Sequence, residues 1–186
     1  MAKKKIKHHS SRADALEDHE LDELLSKCKT NKEKFIIFTL AFTGLRADEL
    51  AQMRPNWIKW QKGVIEVPLQ QGEWQPKTTA GNRTIPIKDN RFLDILRQWS
   101  YQYAIEPVKL SRVTVWRTVQ RVASRAKIMK KIYPHSLRAT FATRLSFKGV
   151  SPITLMHVMG WSDLKIANEY VQSSGARAKQ EIDEKW

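Results

Sequence analysis

Two residues in the last third of the chain have types and spacing suited to binding an anion. His135 and Arg138 are three positions apart, so on a helix they share one face. Near a helix N-terminus, free N–H groups and the helix dipole also favour negative charge. Because the planar guanidinium of arginine can contact two phosphate oxygens at once, the pair predicts a phosphate-binding site.

Other candidate groups lie before and after this pair. Arg46 precedes a short predicted helix and is the candidate for a second arginine on the far side of the phosphate, with Glu49 three residues later to orient it. Trp161 offers an indole N–H, and Tyr170, nine residues further on, is a candidate nucleophile. Taken singly, such arginines are usually solvated or ion-paired and such aromatic residues usually pack in a core. Only the ordered set favours a chemical site.

The hydrophobic pattern predicts the elements that position these groups. Apolar residues at three-to-four spacing predict helices on both sides of a middle segment, 57–87, in which the pattern alternates. There we predict three antiparallel strands over 57–60, 64–67 and 83–87. Lys77 then lies on a long polar loop between the last two strands. The predicted fold class is mainly α with a small three-stranded antiparallel β-sheet.

Composition limits the possible partners. The 186 residues fit one domain, and 41% apolar residues supply its core. A net charge of +14 attracts a polyanion or an acidic surface. The longest apolar run, 35–45, is too short and too interrupted to span a membrane, so we expect a soluble protein. The single cysteine, Cys28, fits a reducing cytoplasm and is interpreted as a packing residue.

Several segments, taken together and in this order, resemble the catalytic domain of the tyrosine recombinases, also called the phage integrase family. They are TGLRADEL at 43–50, PKT at 76–78, HSLR at 135–138, MGW at 159–161 and Tyr170. The resemblance extends over residues 18–172, nearly the whole chain. It implies a catalytic-domain fold of that family.

The resemblance also implies a reaction. Tyr170 would attack a DNA phosphodiester, giving a 3′-phosphotyrosyl bond and a free 5′-hydroxyl, with no metal and no cofactor. Arg46 and Arg138 would hold the phosphate and stabilise its developing charge. The implied activity is site-specific recombination or integration of double-stranded DNA, as carried out by the products of mobile genetic elements.

Three further residues receive roles by the same resemblance. Lys77 would protonate the leaving 5′-oxygen, His135 would assist proton transfer from Tyr170, and Trp161 would donate its indole N–H to a non-bridging oxygen. Most members of the family carry histidine where this chain has Trp161. His157, four residues earlier, is out of register with that histidine, and we interpret it as a packing or surface residue.

Two alternatives to a recombinase remain open at this point. The chain is compatible with a non-catalytic nucleic-acid-binding module of the same fold, and with a nicking and closing enzyme like the type IB topoisomerases. Backbone contacts to DNA would serve all three. We predict such contacts from five basic residues: Arg121, Arg125, Lys127, Lys130 and Lys131. We expect a cytoplasmic location, associated with the nucleoid when DNA is bound.

The expected organisation has three parts. Residues 1–15 form a basic arm, 16–172 the catalytic domain and 173–186 a polar tail. The arm is interpreted either as a DNA-contacting segment or as a solvated end, and the tail either packs on a neighbouring subunit in a homo-oligomer or is solvated. Because full recombinases carry a separate core-binding domain before this one, the chain is either a catalytic fragment or a minimal family member.

Overall fold

The fold is known from a computed structural model, which describes residues 15–106, 110–172 and 182–183. Within these residues, helices precede and follow one small sheet along the chain, as the sequence predicts. The helices are α1 (Asp18–Ser26), α2 (Asn31–Thr43), α3 (Ala47–Gln52), α4 (Asn90–Ile105), α5 (Arg112–Ala126), α6 (Pro134–Phe147), α7 (Pro152–Met159) and α8 (Leu164–Gln172). The strands are β1 (Ile58–Lys59), β2 (Val64–Val67) and β3 (Arg83–Pro86).

Helix α2 is the centre of the main core. Thr30 begins it by accepting the backbone N–H of Glu33 at 3.2 Å, and Gly44 ends it with φ of 61°. Its apolar side chains are buried on all sides, because α4, α5 and α6 all pack against it. A Cβ at position 44 would lie 2.7 Å from the ring of Phe141, so only glycine fits where the chain turns towards Arg46.

The sheet has the order β1-β2-β3 and is antiparallel throughout. Ile65 on the central strand pairs with Ile58 on one side and Ile85 on the other, and all three are buried. Residues two apart on a strand share a face, so Arg83 points to the same buried side as Ile85. The sheet therefore carries a charged side chain into the interior.

Helices α6, α7 and α8 enclose a second, smaller core cluster. It consists of Ala139, Ala142, Leu155, Met159, Trp161, Ala167 and Tyr170. The beginning of the described chain joins this part of the fold, since the backbone N–H of Leu16 donates to Oγ1 of Thr140 at 2.8 Å. Helix α1 has Glu17 as its N-terminal cap.

The two predicted end segments fall almost entirely outside the described residues. Of the arm, only Ala15 is described, and of the tail only 182–183. The predictions made for these segments remain predictions. Among the helices that the structure describes, none combines the length and the apolar character needed to cross a membrane.

Candidate active site

Arg46 and Arg138 meet at the end of helix α7. Both guanidinium groups donate to carbonyl groups of adjacent residues there: Arg138 Nη2 to Met159, and Arg46 Nη2 to Gly160 at 3.0 Å. Arg138 also donates through Nη1 to the carbonyl of Gly44. Two arginines separated by 92 positions are therefore held at one place.

Two left-handed glycines produce this meeting. Gly44 ends α2 and turns the chain so that Arg46 becomes the N-terminal cap of α3. Gly160, with φ of 63°, ends α7, and the carbonyls of 159 and 160 accept the two guanidinium groups. Terminal carbonyls of a helix lack partners within the helix, so arginine donors are suitable partners for them.

Glu49 lies beneath the two arginines and binds a third one, Arg83, which was not predicted. Glu49 Oε1 accepts from Arg46 Nη1 at 2.8 Å and from Arg83 Nη1 at 3.0 Å, while Oε2 accepts from Arg83 Nη2 at 2.8 Å. Burial alone would raise the pKa of Glu49, but Arg83, Arg138 and Arg46 outweigh it and lower that pKa to about 2. The carboxylate is therefore ionised at neutral pH.

This group, Arg46, Arg83, Arg138 and Glu49, is called the arginine wall below. Burial of Arg138, reinforced by repulsion from Arg46 and Arg83, lowers the pKa of its guanidinium well below the ordinary value. The repulsion arises because three guanidinium groups face one carboxylate. An anion entering the site would relieve both the repulsion and the incomplete solvation.

A cleft of about 590 Å³ opens in front of Arg46 and Arg138. Lys77 and His135 also line it, and both are exposed. The imidazole of His135 stacks on the ring of Tyr133, with centroids 5.3 Å apart. Four of the six predicted catalytic residues therefore share one cleft.

The other two, Trp161 and Tyr170, lie behind the arginine wall, and neither lines the cleft. Their rings stack at 5.3 Å, and the guanidinium carbon of Arg138 lies 5.9 Å from the centre of the Trp161 ring. Tyr170 is only 2% exposed, and its backbone carbonyl accepts from Ser146 Oγ at 2.8 Å. In this conformation the phenol is close to the site but covered.

The five basic residues predicted to contact DNA differ in their surroundings. Arg121 and Arg125 approach the carboxylate of Glu33 at 3.7 and 2.7 Å, and Lys130 lies 2.5 Å from that of Glu20. Lys127 ends α5 in a left-handed conformation, and Lys131 is exposed. Their contacts with DNA remain a prediction.

Sequence reasoning missed the other residues that form the site. Arg83 had a usable signal, since the alternating pattern of β3 places it on the face of Ile85. Arg112 and Trp116, four positions apart on α5, line the cleft, and Trp116 is 47% exposed although apolar residues of this helix at three-to-four spacing are buried. The hydrophobic pattern of an amphipathic helix does not distinguish a tryptophan that packs in the core from one that lines a cleft. His157 lies on the surface, as interpreted.

Known proteins resemble this chain in sequence and in fold. A tyrosine recombinase of Pseudothermotoga lettingae is 26% identical over 167 residues, which are 85% of this chain and 56% of that protein. The tyrosine recombinase XerA of Saccharolobus solfataricus is 30% identical over 158 residues, 84% of this chain and 51% of that protein. The chain spans about half the length of these curated relatives.

Solved structures share the fold at lower identity. The crystal structure of XerA recombinase superimposes with a TM-score of 0.74 at 18% identity, covering 99% of this chain and 66% of that one. XerH site-specific recombinase, bound to a palindromic difH substrate in a post-cleavage complex, gives 0.72 at 19% identity over 90% of this chain and 52% of that one. The model of the phage integrase family matches residues 14–177, so the helical fold and the arginine wall described above are those of a chain that belongs to this family.

Proposed function

We propose that this chain is the catalytic domain of a tyrosine recombinase that cleaves and rejoins double-stranded DNA through a 3′-phosphotyrosyl intermediate. The observation that carries the proposal is the meeting of Arg46 and Arg138 at adjacent carbonyls, beside a cleft that Lys77 and His135 also line. A phosphodiester in that cleft faces two guanidinium forks and an ammonium group. Such positioning and cationic stabilisation are the main requirements of phosphoryl transfer.

In the proposed step, the phenolic oxygen of Tyr170 bonds to phosphorus while the bond from phosphorus to the 5′-oxygen breaks. The phenol loses its proton with the help of His135, and Lys77 delivers a proton to the departing oxygen. Arg46 and Arg138 stabilise the charge on the non-bridging oxygens. Religation is the reverse, so the phosphodiester energy is kept in the covalent bond to the protein.

The buried position of Tyr170 gives this proposal a conformational requirement. A phenol that is 2% exposed cannot reach DNA until α8 or its own side chain moves. Ring stacking on Trp161 and the bond from Ser146 to the Tyr170 carbonyl hold this side of the helix in place. We propose that DNA binding is accompanied by release of α8 from these contacts, leaving the indole N–H of Trp161 beside the phosphate.

The proposed partner is double-stranded DNA, with recombination or integration as the outcome and a homo-oligomer on the DNA as the working form. The net charge of +14 supports a polyanionic partner. A tail at 173–186 that packs on a neighbouring subunit and an arm at 1–15 that contacts DNA are part of the same proposal. So are backbone contacts from the α5 region and a location in the cytoplasm, on the nucleoid when DNA is bound.

The test is covalent capture of DNA. The protein is mixed with DNA duplexes whose central sequence is randomised and which carry a nick in one strand. Cleavage next to the nick releases a short strand end that diffuses away, so religation is prevented and the covalent adduct accumulates. Denaturing gels then show whether labelled DNA stays attached. We expect an adduct with the unchanged protein and none with Tyr170→Phe, which should still retard the duplexes.

Tyr101→Phe is the matched control, because Tyr101 is an exposed tyrosine of α4 outside the cleft. It should form the adduct at the normal rate. If the unchanged protein binds DNA and yields no adduct, even with a core-binding domain supplied, the chain is a non-catalytic DNA-binding module. An adduct that persists in Tyr170→Phe would assign the nucleophile to another residue.

A further inference from the structure

Arg83 is a buried arginine that holds three separate parts of the site together. Its Nε donates to the carbonyl of Val158 at 2.9 Å, at the end of α7. Its Nη1 donates to the carbonyl of Gly81 at 2.8 Å, in the loop that carries Lys77. The remaining bonds go to Glu49, on α3. The side chain is 3% exposed, so Arg83 does not itself offer a surface to DNA.

The contact between Arg83 and Glu49 determines how many hydrogen bonds the Glu49 carboxylate can accept from Arg46. Glu49 accepts four hydrogen bonds, two from Arg83, one from Nη1 of Arg46 and one from the Arg46 backbone N–H at 2.8 Å. Two of its four acceptor sites are therefore occupied by Arg83. Without Arg83 those sites would be free to take a second N–H of the Arg46 guanidinium, and Arg46 would be drawn towards Glu49.

The contact with Gly81 reaches the Lys77 loop. The backbone packs so closely there that a Cβ on Gly81 would lie 2.3 Å from Cβ of Pro76, the residue before Lys77. Arg83 also packs under Gly160, where an added Cβ would lie 2.9 Å from Arg83 Cδ. The base of the Lys77 loop and Gly160, whose carbonyl accepts from Arg46, thus both pack against one side chain.

We propose that Arg83 is a positioning residue, which keeps Arg46 directed at the cleft and holds the Lys77 loop at a fixed distance from the arginines. The inference rests on the proposed function. Stability alone gives a weaker account of Arg83, because buried ion pairs are often replaced by apolar residues without loss of stability. Arg83 has no contact with the cleft, so its effect on cleavage passes through Glu49 and Gly81.

The experiment measures two quantities on the captured duplex: the first-order rate of adduct formation at saturating protein, and the dissociation constant in a Tyr170→Phe background. Arg83→Met should lower the rate by about 10²-fold, the usual cost of a misplacement near 1 Å. The dissociation constant should change by less than about threefold, since phosphate contacts elsewhere dominate affinity. Arg97→Met is the matched control, because Arg97 pairs with Asp94 on the exposed side of α4.

A second variant separates positioning from folding. In Arg83→Met the free carboxylate of Glu49 is the harmful group, so adding Glu49→Gln should restore part of the rate, at least about threefold over Arg83→Met alone. A purely structural Arg83 predicts the opposite, since the double variant has lost both partners. Thermal melting identifies variants that do not fold, and Arg83→Lys then replaces Arg83→Met, with a smaller rate loss expected.

The proposal is overturned if folded Arg83→Met cleaves at the rate of Arg97→Met, or if the double variant is slower than Arg83→Met. Should the unchanged protein form no adduct, the proposed function fails, and Arg83 is tested by NMR of the Arg46 Nε–H signal during titration with inorganic phosphate. Weaker phosphate binding in Arg83→Met supports the positioning role. Equal binding refutes it.

Discussion

The arginine wall and the aromatic pair behind it are adjacent but differ in how they are held. The wall is fixed by directional hydrogen bonds: Arg46 and Arg83 donate to the buried carboxylate of Glu49. Arg138 donates to the carbonyls of Gly44 and Met159. The aromatic pair, Trp161 and Tyr170, stacks within the second core cluster, where Ser146 also donates to the Tyr170 carbonyl. Removing one partner of a buried ion pair costs about 3–5 kcal/mol. An aromatic pair contributes about 0.5–1.5 kcal/mol beyond its buried area.

That difference matches the proposed division of labour. A phosphate site gains from groups that do not reorganise when the charge develops. In the proposed reaction Tyr170 is the nucleophile, and because it starts 2% exposed it has to move, so contacts weaker than a buried ion pair suit it. The variants below test whether the arginine wall is the rigid part of the site and the aromatic pair the part that moves.

The largest expected effect comes from the wall itself. Arg138→Ala should slow adduct formation by about 10²–10³-fold, because a donor to the developing charge is lost. Folding should suffer too, since the carbonyls of Gly44 and Met159 lose their donor. The measurements are single-turnover cleavage and chemical denaturation. Arg144→Ala, on the same helix and paired with Asp18, is the control and should cleave normally.

Arg138→Lys extends this prediction. A lysine keeps the charge but cannot donate to two carbonyls and a phosphate through a planar fork, so cleavage should remain strongly impaired. Cleavage by Arg138→Lys at the unchanged rate would mean that charge alone suffices. The arginine wall would then require no more precise hydrogen-bond geometry than the aromatic pair.

The next effect concerns stability against pH. Glu49 has a pKa of about 2 in the fold and about 4.5 when exposed, so its carboxylate stabilises the protein above pH 4.5. That contribution is lost as the pH falls from 4.5 to 2. Glu49→Gln should therefore be less stable at pH 7, by on the order of 3 kcal/mol, and the gap to the unchanged protein should narrow across this window.

Urea denaturation at several pH values measures this gap. Glu66→Gln serves as the control, since Glu66 pairs with two surface lysines, Lys62 at 3.3 Å and Lys59 at 3.8 Å. A gap between Glu49→Gln and the unchanged protein that stays constant from pH 7 to pH 2 would show that the buried carboxylate does not stabilise the wall through its charge.

The same two regions show how far sequence reasoning reaches. The helices, the sheet and the meeting of Arg46 with Arg138 were predictable, because they depend on local periodicity, glycine punctuation and motif order. The pairing of Arg83 with Glu49 was not, since 34 positions separate them and only the tertiary fold brings them together. Nor did the pattern around Tyr170 reveal its burial, which depends on how α8 packs against α6 and α7.

A smaller effect is expected at Trp161. Trp161→Phe keeps a ring to stack on Tyr170 but removes the indole N–H, so cleavage should slow by about tenfold, less than after loss of either arginine. Single-turnover cleavage measures it, with Trp60→Phe, at an exposed tryptophan, as the control. If Trp161→Phe were the most damaging of the three changes, Trp161 would act mainly by packing, and the aromatic pair would be as rigid as the wall.

The smallest effect is expected from Ser146→Ala, which removes the bond to the Tyr170 carbonyl and leaves the ring stack in place. One such bond contributes about 1 kcal/mol, so protection of α8 amides against hydrogen exchange should fall by about fivefold. Ser26→Ala, which removes an exposed bond within α1, should leave α8 unchanged. If Tyr170 leaves its buried position before it attacks, as proposed, Ser146→Ala should cleave at least as fast as the unchanged protein. Slower cleavage would mean that α8 must stay docked during attack, and the contrast between a fixed wall and a movable nucleophile would not hold.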